Sequence, residues 1–467
     1  MALLLLAAIP AIVAAASYKE GGISDRLLLE QLATEGKANI FVKMASDANL
    51  AAAEGIEDKT ARVQFVYDAL TAQAASSQTG ITGYLDAQGV RYQSFWINNS
   101  LYVYDADRAL VAALASRGDV AYVRGEHELP LIEPVSREPS EAGGTIEWGV
   151  AKINADDVWA AGNTGQGVVV ANIDTGVRYT HQALVNQYRG NVGGFNHDYD
   201  WWDPDQDFAS PTDDNGHGTH TMGTMVGGDG LGPFSNDIGV APGAEWIAAQ
   251  GCDTNFCSDF DLISSAQFVA CPTEVDGSNP NCSLAPDVVN NSWGGGGGDP
   301  WYQSYVSSWL SAGIIPVFSA GNNGSGCNSM GSPGDYRNVF GIGATDINDV
   351  LASFSSKGPG VFRQLKPDMV APGENVRSSD NNSDSAYATL SGTSMAAPHV
   401  AGTIALMLHE NPGANMVDLY FALANTTEQS LGNPPGPDTC LRHYSIYPNP
   451  IYGFGRIDAA AAVGAVH

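Results

Sequence analysis

Apolar positions recur in two different ways along the 467-residue chain. Between residues 37 and 128 they come in short runs split by polar turns. Residues 38–44 read as a strand. Residues 60–71 read as a helix with Val63, Val66 and Leu70 on one face. Residues 92–104 carry two aromatic-rich strand runs around Asn98 and Asn99, Asp107 is placed to cap a helix through Arg117, and residues 119–123 close the set as a strand. The order βαββαβ predicts a ferredoxin-like α+β domain. A Pro/Glu/Ser/Gly-rich stretch, 133–144, reads as an exposed linker. Beyond it the runs become almost wholly apolar. Residues 168–173 and 313–318 predict buried strands, and 395–408 predicts a buried helix. Residues 457–467 are small and apolar and read as a final helix or tail.

These apolar runs end on residues with chemistry. The strand 168–173 runs into Asp174 and a Thr-Gly turn. Asn215-Gly-His-Gly-Thr-His-Thr221 puts His217 between two glycines at the start of a helix. The strand 313–318 ends in Ser319-Ala-Gly-Asn322, whose amide can donate a hydrogen bond. Ser391-Gly-Thr-Ser-Met-Ala-Ala-Pro-His399 puts Ser394 at the start of the buried helix. A helix start offers unpaired N–H groups and the positive end of the peptide dipoles, so a negative oxygen is stabilised there. A serine alone is a weak nucleophile, but an imidazole to take its proton, a carboxylate to orient the imidazole and an amide for the oxyanion complete a set for acyl transfer. His220 and His399 share these segments and read as packing residues. The His217/His220 spacing lacks the i, i+4 pair and glutamate of the common zinc proteases.

The segments Ile173-Asp-Thr-Gly176, His217-Gly-Thr-His220, Ala320-Gly-Asn322 and Gly392-Thr-Ser-Met-Ala-Ala-Pro398 together resemble the subtilisin-like serine proteases, and within them the bacillopeptidase F-like branch. The resemblance runs from about residue 148 to 456. It implies a doubly wound, mostly parallel α/β sheet over residues 147–467, a secreted serine endopeptidase, and catalytic roles for Asp174, His217 and Ser394 with Asn322 as oxyanion donor. It implies that residues 17–132, with their domain at 37–128, are an inhibitory propeptide, and that processing falls within 133–146. Ser292, Trp293 and Gly294 resemble the edge that pairs with extended substrate. Ser319 and Ala320 would line the opposite wall of the primary pocket, and Gly331 would lie near its floor. Small residues there leave room for a large apolar side chain, which disfavours dibasic processing. The family needs no cofactor for its chemistry and often carries structural calcium.

Composition narrows the partners. A formal charge of −30 repels phosphates, which argues against nucleic acid and anionic membrane surfaces as partners; the resemblance implies protein or peptide substrates and a monomeric enzyme. Residues 1–16 are nearly all apolar, too short to span a bilayer, and read as a secretory signal peptide, although no Lys or Arg precedes the run. Six cysteines fit an oxidising compartment. They can pair in fifteen ways; proximity favours Cys252–Cys257 and Cys271–Cys282, leaving Cys327–Cys440. Glycosylation sequons occur at Asn98, Asn281, Asn290, Asn323 and Asn425. Those at Asn290 and Asn323 fall in active-site segments and are expected to go unused. The acidic stretch 198–207 reads as a solvated loop, with calcium as the alternative occupant.

Overall fold

The uniformly apolar runs become neighbouring strands of one sheet in the computed structural model of the chain, which describes residues 25–141, 145–228, 237–361 and 363–467. Across that sheet the order is Met369–Pro372, Phe340–Thr345, Ile315–Ser319, Val288–Asn291, Val169–Asp174, Glu245–Gln250 and Trp201–Trp202. All six neighbouring pairs are parallel. Successive side chains of a strand point to opposite faces, and here both faces are covered. Val170, Val288 and Val317 pack into one core with the helices His217–Val226 and Thr393–Glu410. Ala171, Val289 and Phe318 pack into the other with Asp259–Ala270 and Gln303–Ala312. A strand buried on both faces has no polar face to show, so its sequence does not alternate. The doubly wound α/β architecture is therefore present.

The small domain has the strand order Tyr92–Phe95, Ser100–Asp107, Lys37–Met44, Val120–Gly125, antiparallel throughout. That is the ferredoxin-like arrangement. Its long helix is Lys59–Gln88, well beyond the expected end at residue 71. Ala74, Ile81 and Leu85 extend the buried stripe, and the helix stops at Gly89, whose φ of 65° suits a residue without Cβ. The helix after Asp107 ends at Ala115, two residues short of Arg117, with the Leu110 N–H on the Asp107 carboxylate at 2.8 Å. A helix Arg26–Thr34 was not anticipated.

The two domains pack together. Phe95 packs edge-on and Tyr102 tilted against Phe260, the Arg62 guanidinium donates to the carbonyls of Leu310 and Ser311, and Arg124 pairs with the buried Asp259. Residues 136–140, expected as plain linker, form a strand against Tyr387–Ser391. Their side chains stay largely exposed, so composition alone could not reveal the pairing.

The disulfides are Cys252–Cys257, Cys271–Cys282 and Cys327–Cys440. The last links residues 113 apart, so it removes the most freedom from the unfolded chain. Replacing both partners by serine is expected to cost about 2–4 kcal/mol, read as a lowered midpoint of thermal unfolding. An unchanged midpoint would show that the bridge is energetically idle.

Candidate active site

Asp174 is the last residue of its strand and is 1% exposed. The chain must turn at once, and Gly176 allows it: its φ is 100°, and a Cβ there would sit 1.8 Å from the Thr212 carbonyl oxygen. The turn returns the Asp174 carboxylate to the start of the helix His217–Val226. There Oδ1 of Asp174 lies 2.7 Å from Nδ1 of His217, and Oδ2 accepts from the Thr221 hydroxyl at 3.2 Å. A carboxylate can only accept, so Nδ1 carries the proton and Nε2 is left as the ring's acceptor. Nε2 of His217 is buried with no hydrogen-bond partner.

Burial by itself would lower the His217 pKa. The charge and hydrogen bond of Asp174 outweigh it, with Asp213 and Glu133 adding to the pull, and the net shift is upward. Asp213 was not singled out from sequence. Its buried carboxylate accepts from the N–H groups of Gly216 and Thr219 and the hydroxyls of Thr175 and Thr219, so it shapes the turn that delivers His217. Burial pushes its pKa up. The only sequence signal was its place four residues before His217.

Ser394 is the second residue of Thr393–Glu410. Pro398 sits one turn later and has no N–H to give to the Ser394 carbonyl. The Ser292 hydroxyl supplies the missing donor at 2.9 Å. The Ser394 hydroxyl lies 3.2 Å from the Ser292 carbonyl oxygen and 3.5 Å from that of Ile132. Asn322 accepts from the Thr393 N–H and hydroxyl, each at 2.9 Å, which turns its Nδ2 away from the helix and onto the Glu133 carbonyl at 3.1 Å.

The pocket residues also converge. Gly331 N–H bonds the Ala320 carbonyl at 3.0 Å, and a Cβ on Gly331 would lie 2.6 Å from the Gly295 carbonyl oxygen. Ser319 and Ala320 are buried at the end of their strand. The Trp293 ring points into the core against Tyr302 and Phe318, so that residue can meet a substrate only through its backbone. Ile132 reaches toward Gly294: its Cδ1 is 3.6 Å from the position of a Cβ there.

His220 donates from Nε2 to the Val376 and Ala388 carbonyls with its pKa lowered to about 3, and His399 donates from Nδ1 to the Met395 carbonyl with its pKa lowered to about 4, both chiefly by burial. Both are neutral packing residues. In the acidic stretch, Asp200 pairs with Arg189, and Asp203 caps its own turn through the N–H groups of Asp205, Asp207 and Phe208. Its oxygens are spent, and Trp201 is in the core. Among the described residues no group of three or more His, Cys, Asp or Glu side chains is arranged to hold a metal ion. Residues 1–16 lie wholly outside the described residues. Asn98 and Asn290 are buried and closed to a glycan in the folded chain.

The chain itself runs through this site. Glu128–Pro130 pairs antiparallel with Phe256–Ser258, Leu131 N–H bonds the Asn255 carbonyl at 2.9 Å, and Val135 N–H bonds the Ser391 carbonyl at 2.7 Å. Residues 131–135 thus pass Ser394, tied down on either side, with a tight turn at Ile132 where the Glu133 N–H bonds the Leu131 carbonyl at 2.8 Å.

Comparison with known proteins agrees with this geometry. The model of the subtilase family matches residues 165–446. Bacillopeptidase F of Bacillus subtilis is 36% identical over 455 residues, which cover 92% of this chain but only 30% of that protein. Subtilisin Savinase of Lederbergia lenta is 34% identical over 318 residues, covering 68% of this chain and 98% of its own. The serine protease AprX of Bacillus subtilis is 32% identical over 327 residues, 64% and 67% of the two chains. A domain match of this extent, with a relative covered almost end to end, places the chain in one group: it belongs to the subtilase family of serine endopeptidases.

Proposed function

We propose that the chain is a secreted, monomeric serine endopeptidase made as a zymogen, with residues 17–132 as its propeptide and residues 147–467 as its peptidase domain. Ser394 attacks the peptide carbonyl, and His217 Nε2 takes the hydroxyl proton and then gives it to the leaving amine. Asp174 holds the imidazole tautomer and stabilises the imidazolium. Asn322 Nδ2 and the Ser394 N–H receive the oxyanion. Water then releases the acyl group by the same steps in reverse.

One observation carries the reading: the Glu133 carbonyl is offered to Asn322 while residues 128–140 pair along both sides of the cleft. Such main-chain pairing accepts many sequences, which supports broad specificity. The small walls at Gly294, Ala320 and Gly331 favour a large apolar side chain before the cut. Three disulfides fit an extracellular setting, and among the described residues no helix is long and apolar enough to cross a membrane.

Incubating the purified full chain should yield a protein cut within residues 133–146 that hydrolyses casein, with both events blocked by a serine-directed phosphonylating reagent. A chain that stays intact and inactive argues against the zymogen. Within the same reading, Asn322→Ala should fold normally and lower turnover by about 10²–10³, the size found for the oxyanion amide of subtilisin itself. Steady-state kinetics on a peptide substrate checks this, and unchanged turnover removes Asn322 from the mechanism.

A further inference from the structure

The strand at residues 136–140 carries one side chain that is seated rather than merely exposed. Arg137 pairs with Asp380, donates to the Asn215 carbonyl at 2.7 Å and reaches the Asn381 side-chain oxygen at 3.3 Å. Asp380 is 3% exposed; its other oxygen accepts from the Asn382 amide. Gly216 lies under the guanidinium, since a Cβ there would come within 2.6 Å of Arg137 Nη2. The cradle is rigidly joined to the catalytic loop: Asn215 is two residues from His217, and the Asn381 amide bonds the Asp213 carbonyl at 2.8 Å. Arg178, the cation nearest the cradle on its far side, is engaged with Asp384 and the Asn381 carbonyl.

Counting from the carbonyl held by Asn322, Pro134 is the first residue on the leaving side and Arg137 the fourth. Once this segment is peeled from Tyr387–Ser391, Asp380 loses its ion-pair partner and keeps the Asn382 amide. Stripping one partner from a buried ion pair leaves an uncompensated charge, which is costly. A cationic side chain of a substrate on the same path would restore the pair.

We propose that Asp380, with the Asn215 carbonyl and Asn381, is a leaving-side subsite that makes the mature enzyme favour arginine or lysine at the fourth position after the cut. The proposal rests on the zymogen protease reading above. It makes residues 134–140 a mimic of the substrate's leaving half.

The test uses enzyme matured from the full chain and quenched fluorescent peptides that differ only in that fourth residue: Arg, Gln or Glu. In low salt, kcat/KM should be about 10-fold higher for Arg than for Gln, with Glu lowest, and the Arg/Gln ratio should fall to about 2 or less in Asp380→Asn. The free peptide of residues 134–141 should inhibit wild-type enzyme, and its Arg137→Gln form should be about 10-fold weaker; this arm needs no folded variant. Equal Arg and Gln rates in wild type, a ratio unchanged in Asp380→Asn, or equal potency of the two inhibitor peptides would each overturn the subsite. If N-terminal sequencing finds residues 134–140 kept on the cleft with no preference for Arg, the proposal also falls. Failure to cut any peptide would instead count against the protease reading itself.

Discussion

Ser394→Ala is expected to abolish turnover on peptide substrates by about 10⁶, a magnitude known from subtilisin rather than from this chain. The oxygen to be removed stands on the second residue of a buried helix, where its own N–H remains free for an oxyanion. Neither Ser292 nor Thr393 can replace it, because the Ser292 hydroxyl is committed to the Ser394 carbonyl and that of Thr393 to Asn322. The variant should still fold, since the Ser394 hydroxyl contributes only two weak contacts, at 3.2 and 3.5 Å. It should also remain a single polypeptide containing residues 128–140, where wild type is cut. Residual rates of about 10³–10⁴ over water would persist from the oxyanion donors and binding alone. Mass spectrometry of the purified variant and kcat on a peptide substrate check both halves. A variant that processes itself at the wild-type rate would remove Ser394 as nucleophile.

How much of this site was legible in the sequence follows from how each residue is positioned. Asp174, His217 and Ser394 could be read because each stands where an apolar run gives way to a turn or begins a helix, and such junctions have local signatures. Asp213 could not, because its role is to gather N–H and hydroxyl donors that are adjacent only after the turn has formed. The strand at 136–140 failed for a related reason. It is a polar ladder whose other half, Tyr387–Ser391, lies some 250 residues away, and no side-chain pattern records a backbone partner. Residues 72–88 were missed as helix because Gly80 and Gly83 interrupt the propensity while the buried Ala74, Ile81 and Leu85 still supply the packing. In the acidic stretch 198–207, the tryptophans decided the outcome. Trp201–Trp202 is an edge strand of the main sheet, which charge composition concealed. The Trp293 ring is a core residue against Tyr302 and Phe318, a packing role that its neighbouring glycines concealed.

Asp174→Asn should lower kcat/KM by about 10⁴ with little change in fold, the size found for the matching substitution in a serine protease of unrelated fold. Asn is nearly the same size as Asp, and the Thr221 hydroxyl can still donate to its remaining oxygen, while the Thr175 N–H loses its acceptor. What changes is the proton. An amide nitrogen facing Nδ1 of His217 donates instead of accepting, which forces the ring proton onto Nε2. That nitrogen then carries a proton and cannot accept one from the Ser394 hydroxyl. The pH profile adds a second, independent readout. Catalysis needs neutral His217, so activity falls as pH drops through its pKa. In wild type burial alone would lower that pKa, and Asp174 together with Asp213 and Glu133 raises it. Without the carboxylate, burial prevails, and the acid limb of the residual activity should move to lower pH. Rates on a peptide substrate across the acid-to-neutral range test both effects together. A loss below tenfold, or an acid limb that stays in place, would mean that Asp174 neither selects the tautomer nor holds the imidazolium.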